Sequence, residues 1–260
     1  MQLDGRQVVL TGAASGIGRA LLDRLAAYNV RVLAVDQDAV GLGAPRQQGK
    51  MEVIPHGCDL GEAQAVDGVF EHALQALGGV DLYIANAGFA YYEKIETPDW
   101  EHIERIFRVN VFSSLYALEK MRALNLGRPF KVVITASAMG FLGVPGYALY
   151  SSSKAALLRF AEAYRYELED RRSLALVYPI ATRTHFFNTA ARHPAPTPWP
   201  SQTAEQVARA ILKGILRDQM EIFPSTFFRI FRWMPWLHGL EKWIEAQRLE
   251  KWARQVCQNG

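Results

Sequence analysis

The sequence predicts an α/β fold: a doubly wound parallel sheet of about seven strands with helices on both faces, followed by an amphipathic C-terminal helical extension. Three observations predict it. Short Val/Ile/Leu-rich runs near residues 7–10, 31–35, 51–54, 81–85, 131–136, 174–178 and 220–223 alternate with longer helical stretches, and such alternation implies right-handed crossovers and parallel pairing. The runs are continuously apolar, which implies burial on both faces. After Pro224 the chain changes character and becomes rich in aromatic residues and arginine.

Composition bounds the rest. With 260 residues, 50% of them apolar and 21% charged, the chain suits one domain, expected over 1–225, with 226–260 as the extension. A net charge of +3 without a concentrated basic stripe argues against a nucleic-acid footprint. Cys58 and Cys257 cannot build a disulfide framework, and no metal site is suggested. The first strand begins within about ten residues of Met1, leaving no room for a targeting segment, so the expected location is cytoplasmic. There is no internal repeat and no low-complexity tract.

The first element, Gln7-Val8-Val9-Leu10, runs into Thr11-Gly12-Ala13-Ala14-Ser15-Gly16-Ile17-Gly18, after which Ile17, Leu21, Leu22 and Leu25 recur at helical spacing. Strand, glycine turn and helix in this order place backbone N–H groups and a helix N-terminus before a pyrophosphate, the opening of a Rossmann-like sheet. Gly12, Gly16 and Gly18 stand where a Cβ would block the turn, the ligand or the helix–strand contact, with Ser15 and Ile17 beside them. The second strand, Arg31 to Val35, ends in Asp36. A carboxylate there can accept hydrogen bonds from adenosine ribose hydroxyls and repel a 2′-phosphate, which favours NAD over NADP. Arg19 and Arg31 are the nearby cations that could instead meet a phosphate.

Farther along, the run Lys131 to Ala136 ends at Ser137, and Tyr150 and Lys154 follow four residues apart. On a helix these two share a face. A neighbouring ammonium favours the phenolate and can draw a phenol toward neutrality, which would make Tyr150 a usable general acid or base.

With these residues the sequence resembles the short-chain dehydrogenase/reductase family over roughly residues 5 to 225. Five motifs carry the resemblance in the family's order: the glycine turn at 11–18; Asp59 in Cys58-Asp59-Leu60; Asn86-Ala87-Gly88 after the run Leu82 to Ala85; Asn110; and Ser137 with Tyr150 and Lys154. The resemblance implies an NAD(P)-dependent oxidoreductase acting on CH–OH groups. Tyr150 would exchange a proton with the substrate oxygen, which Ser137 would hold, and Lys154 would bind the nicotinamide ribose and lower the Tyr150 pKa. Asn110 would bind a water through its side chain or a freed backbone carbonyl, completing a proton path. Asp59 and Leu60 would contact adenine; Asn86, Ala87, Gly88, Pro179 and Thr184 would complete the cofactor site. Two departures stand out. Asn110 precedes Ser137 by 27 residues, a long spacing whose excess is expected in the loop 124–129, and Ile180 replaces the glycine usual after Tyr178-Pro179, so its side chain must point away or narrow the pocket.

The expected substrate wall comprises Phe89, Tyr91, Tyr92, Met139, Phe141, Leu142, Val144, Tyr147, His185, Phe186 and Phe187, half of which are expected only to pack the loops. Its apolar character suits a hydrophobic alcohol or ketone of steroid, retinoid or long-chain acyl type. Four prolines in His193 to Pro200 suit a stiff lid or a plain connector. The extension, with four of the six tryptophans, can pack on the domain or on a partner copy in a homodimer or homotetramer, or can contact a membrane surface peripherally. A noncatalytic redox sensor is the rival reading from another class.

Overall fold

The structure, a computed structural model, describes residues 1–184, 186, 190 and 200–259, and within the last helix it describes no side chains at 235–237, 240, 241 and 257–259. Gln7–Thr11 (β1) leads through the glycine turn to Gly16–Leu25 (α1) and Arg31–Asp36 (β2). Then come a single turn Ala39–Leu42 (α2), a short strand Arg46–Gln48 (β3), Met51–Gly57 (β4), Ala63–Leu77 (α3) and Leu82–Ala85 (β5). Trp100–Phe107 (α4), a π-helical segment Arg108–Phe112 and Ser113–Leu124 (α5) run on without a break into Lys131–Thr135 (β6) by a short loop. The remaining elements are Ala148–Tyr164 (α6), Leu174–Val177 (β7), Ala181–Arg183 (β8), Ser201–Thr203 (β9), Ala204–Leu216 (α7), Glu221–Ile222 (β10), Thr226–Phe231 (α8) and Pro235–Asn259 (α9).

The main sheet has the order β10-β7-β6-β5-β1-β2-β4-β3, parallel throughout except where β3 pairs antiparallel with β4 at the edge. From β1 the chain winds outward one way through β2 and β4, then returns and winds the other way from β5, so the order reverses between β1 and β5. A crevice opens there at the carboxyl ends of the strands. Neighbouring residues within a strand enter opposite cores: Val9, Leu33, Val35 and Ile134 pack with α3, α5 and α6, whereas Val8, Leu10, Val32 and Val133 pack with α1 and α7. That is why the runs read as continuously apolar.

The structure departs from the sequence reading where polarity hides an element or geometry interrupts one. The short strands β3, β8 and β9 carry Arg46-Gln47-Gln48, Ala181-Thr182-Arg183 and Ser201-Gln202-Thr203, which offer no apolar run to find. The helical stretch between residues 100 and 124 is divided into α4, the π segment and α5. At its start the Asp99 carboxylate accepts from His102 N at 3.0 Å, a side-chain cap for an orphan N–H. In its middle Asn110 turns inward, and Ser113 Oγ donates to Val109 O at 2.6 Å, where the helix widens.

The extension splits into two helices with different surroundings. Phe228 of α8 is buried against Phe141. On α9, Leu249 and Trp252 pack beside Tyr92 and Tyr147, and the buried Glu245 accepts from Arg248 Nη1 at 2.7 Å. Among the described residues no helix is long and apolar enough to cross a membrane.

Candidate active site

The glycine turn is locked to the end of β5. Thr11 Oγ1 accepts from the backbone N–H groups of Asn86 and Ala87, both at 3.0 Å. Asn86 Nδ2 donates to the Gly12 carbonyl at 3.2 Å, and Asn86 Oδ1 accepts from Thr135 Oγ1 at 3.2 Å. Asn86 therefore ties β1, β5 and β6 together at the crevice. A Cβ on Gly18 would stand 1.8 Å from the Gly12 carbonyl oxygen, so any larger residue would force α1 off the turn. Thr184 reaches back over this turn, since a Cβ on Gly16 would meet its Cγ2 at 3.2 Å. Ser15, at the head of α1, makes no side-chain capping bond.

Asp36 closes the next edge. One carboxylate oxygen accepts from Ala14 N at 2.9 Å and the other from Asp38 N at 3.0 Å, leaving lone pairs for a ligand. The two nearby cations are engaged elsewhere: Arg31 pairs with Glu52 at 2.7 Å and Arg19 with Asp23 at 3.5 Å. Asp59 is exposed, pairs with Arg105 of α4 and accepts from Gly61 N at 3.1 Å; Leu60 beside it is buried.

At the other end of the crevice, α6 begins two residues before Tyr150, so Tyr150 and Lys154 lie one turn apart on its inner face, both buried. Lys154 Nζ donates to Thr135 O at 2.9 Å and stands 5.6 Å from the Tyr150 ring centroid. Ser137 heads a short turn in which its Oγ accepts from Met139 N at 3.1 Å, while Ala138 N donates to Pro179 O at 2.8 Å. Burial pushes the Tyr150 phenol up to about 12, with a hydrogen bond to Ser137 pulling the other way. Burial also draws the Lys154 ammonium down to about 7. Desolvation of both groups thus outweighs the expected effect of the cation on the phenol, because the amine is satisfied by a carbonyl and lies beside the ring.

Asn110 supports this wall from behind. Its Oδ1 accepts from Phe89 N at 3.0 Å, and its Nδ2 donates to Phe89 O at 2.9 Å and Ser153 Oγ at 3.1 Å. Ser153 in turn donates to Tyr150 O at 2.8 Å. Both amide hydrogens of Asn110 are thus taken by protein acceptors.

One cavity of about 540 Å³ joins the two ends. One part is lined by Gly12, Ser15, Gly16 and Ile17; a second by Asp36, Asp59 and Leu60; the far side by Asn86 to Gly88, Ser137, Tyr150, Lys154, Pro179 and Thr184. Gly18 and Asn110 stand just behind this lining. Of the expected substrate wall, Phe89, Met139 and Phe186 line the cavity; Ile180 lines it too and also packs against the sheet core. Tyr91 instead stacks on His102 at 3.6 Å, Phe141 packs on Tyr178 and Phe228, Leu142 lies in the sheet core, and Tyr92, Val144 and Tyr147 form a buried cluster with Trp252. His185, Phe187 and residues 193–199 of the proline segment lie outside the described residues. Thr11, Thr135 and Ser153 have roles that the sequence reading did not assign. Each is a hydroxyl at a strand end or one helical step from a named residue, which is the signal that could have found it. Among the described residues no cluster of three or more metal-ligating side chains occurs.

Residues 6–195 match a family model described as short chain dehydrogenase. The chain is 30% identical over 229 residues to an uncharacterized oxidoreductase of Myxococcus xanthus, covering 86% of this chain and 89% of that one. It is 29% identical to short-chain dehydrogenase/reductase family 16C member 6 of Bos taurus, covering 87% and 74%. Among solved structures, it is similar to a short-chain dehydrogenase of Burkholderia cenocepacia in complex with NADP (TM-score 0.75, 23% identity, 96% and 99% covered). A Burkholderia phymatum dehydrogenase in complex with NAD gives a TM-score of 0.74 at 21% identity, with 89% and 93% covered.

Proposed function

This chain belongs to the short-chain dehydrogenase/reductase family of NAD(P)-dependent oxidoreductases, and we propose that it prefers NAD and interconverts a hydrophobic secondary alcohol and its ketone. The observation that carries the proposal is one cleft holding Asp36 and the glycine turn at one end and the buried Ser137, Tyr150 and Lys154 at the other.

The residues present fit a nicotinamide dinucleotide. The close glycine packing leaves room for a pyrophosphate over the head of α1, where unpaired N–H groups favour an anion. The Asp36 carboxylate suits ribose hydroxyls and opposes a 2′-phosphate, and Arg19 and Arg31, the nearby cations, pair with carboxylates of their own. When bound, the nicotinamide ring supplies or accepts the hydride. Ser137 Oγ donates to the substrate oxygen and fixes its distance. Tyr150 Oη gives that oxygen a proton in reduction or takes one in oxidation. Its raised pKa keeps the phenol protonated at neutral pH, so reduction finds the acid ready and oxidation gains as pH rises. Lys154 sits where it can hold ribose hydroxyls. Asn110 fixes Phe89 against α6 and so acts as a positioning residue. The apolar faces of Phe89, Met139, Ile180 and Phe186 exclude water and suit an apolar substrate.

NADH absorbance followed with hydrophobic alcohols and ketones tests this, with NADPH run in parallel and Tyr150→Phe as control. The expected result is turnover with NADH that falls about 10²–10⁴-fold in Tyr150→Phe while NADH binding persists. Equal turnover in Tyr150→Phe, or a preference for NADPH, would overturn the assigned role or the assigned cofactor respectively.

A further inference from the structure

Phe223 to Leu240 is a run of 18 residues without a single carboxylate, and Arg229 and Arg232 are its formal charges. On α8 this run is sharply two-sided. Phe228 is buried on the domain, whereas Phe227 and Ile230 are 52% and 65% exposed and Trp233, just beyond, is 73% exposed. Arg229 is exposed among them and forms no ion pair among the described residues. Arg232 lies over the Phe223 and Trp233 rings, 4.4 and 4.6 Å from their centres. Large apolar side chains held in water beside the exposed Arg229 mark a surface that meets something.

Its place in the fold says what that surface adjoins. The helix α8 follows the carboxyl end of β10, which runs parallel to β7 and, through it, to β6. It packs through Phe228 on Phe141, four residues after Ser137. The helix α8 therefore stands at the carboxyl end of the parallel strands, the end at which the cleft opens.

We propose that the exposed face of α8 and Trp233 docks on the headgroup zone of an anionic lipid bilayer and sets the substrate end of the cleft toward the lipid. Charge favours lipid over a second copy: a two-fold contact between identical patches would bring the arginines together with no carboxylate to receive them, whereas acidic headgroups supply that partner. Tryptophan and arginine flanking an apolar strip are suited to interfacial depth. That the substrate arrives from the bilayer rests on the functional reading above; docking itself does not.

The test is flotation of the full chain with phosphatidylcholine vesicles, with and without phosphatidylserine, together with quenching of its tryptophan fluorescence by brominated lipid. Flotation with the serine lipid, weakened by salt, and quenching are expected. Arg229→Ser should weaken binding about fivefold on the acidic vesicles, and Phe227→Ser/Ile230→Ser/Trp233→Ser roughly a hundredfold, with NADH binding unchanged. Wild-type protein that neither floats nor is quenched would overturn the proposal. So would a triple variant that changes oligomer size while lipid binding stays the same, since a second copy would then cover the patch. Because docking is read without substrate, a failed dehydrogenase assignment leaves it standing.

Discussion

Replacing Lys154 with Met should stabilise the cofactor-free protein, and most of all in acid. Lys154 is 4% exposed, and burial draws its ammonium from 10.5 to about 7. That is a drop of about 3.5 pH units, which at ~1.4 kcal/mol per unit makes about 5 kcal/mol the upper bound on what the buried charge costs. Met fills similar volume, but Thr135 O then loses its donor, at a cost of about 1–3 kcal/mol. The expected net gain is about 2–4 kcal/mol at or below pH 7. The pH dependence identifies the cause. Below about pH 7 folded and unfolded chains both carry the proton, and the full penalty applies. Above it the folded state has shed its proton while the unfolded chain keeps it to about 10.5, so wild-type stability should climb toward the variant's by ~1.4 kcal/mol per unit. Urea unfolding of both proteins between about pH 6 and 10 reads this directly. Parallel pH profiles would refute the reasoning: Lys154 would then stay charged in the fold, which requires an ionised partner such as the Tyr150 phenolate.

Three further outcomes test other parts of the site. Asp36→Asn keeps an acceptor for Ala14 N but removes the charge, so NAD affinity should fall about tenfold and NADP affinity rise; titration of both cofactors checks it, and an unchanged ratio would exclude Asp36 as the discriminator. Asn110→Ala strips Phe89 of a donor and an acceptor inside the wall and should cost about 2–4 kcal/mol, seen as a melting temperature lowered by roughly 5–10 °C. Trp252→Ala should lower kcat/KM for bulky substrates about 3- to 30-fold with NADH affinity unchanged, and Trp252→Phe should restore it. Its ring lies 4.9 Å from Tyr92, which lies 4.8 Å from Tyr147, itself 6.5 Å from Tyr150. Unchanged kinetics in Trp252→Ala would break that chain.

What could be read from the sequence was what short-range geometry dictates. The glycine turn and the Tyr150–Lys154 pair each fit within one turn of chain, so spacing alone placed them on a strand end and on one helix face. The parallel sheet was readable because residues such as Val8 and Val9 had to be apolar on both sides. The π segment was not, because what holds Asn110 comes from Phe89 and Ser153, 21 and 43 residues away. Nor was the electrostatic balance of Tyr150 and Lys154: proximity suggested that the cation would dominate, but burial, a property of the whole fold, reverses the order. Which of the loop aromatics would only pack was not readable for a similar reason. Tyr91, Phe141 and Tyr147 differ little in type from Phe89 and Phe186, and which of them faces the cavity depends on partners as distant as Phe228 and Trp252.

The C-terminal extension carries this furthest. Its composition offers packing on the domain and contact with a membrane as rivals, because both need aromatic side chains on one helix face. In the structure they need not compete. Glu245, Leu249 and Trp252 on α9 face inward, where burial pushes the Glu245 carboxyl above its usual range despite Arg248, while Phe227, Ile230 and Trp233 at α8 face water. Deleting residues 226–260 would remove both sets together and disturb the Tyr92–Tyr147 cluster behind Tyr150. A truncated protein that lost activity and lipid binding at once would therefore separate nothing. The outward substitutions on α8 and the inward one at Trp252 divide the two roles, because each changes one face and leaves the other intact.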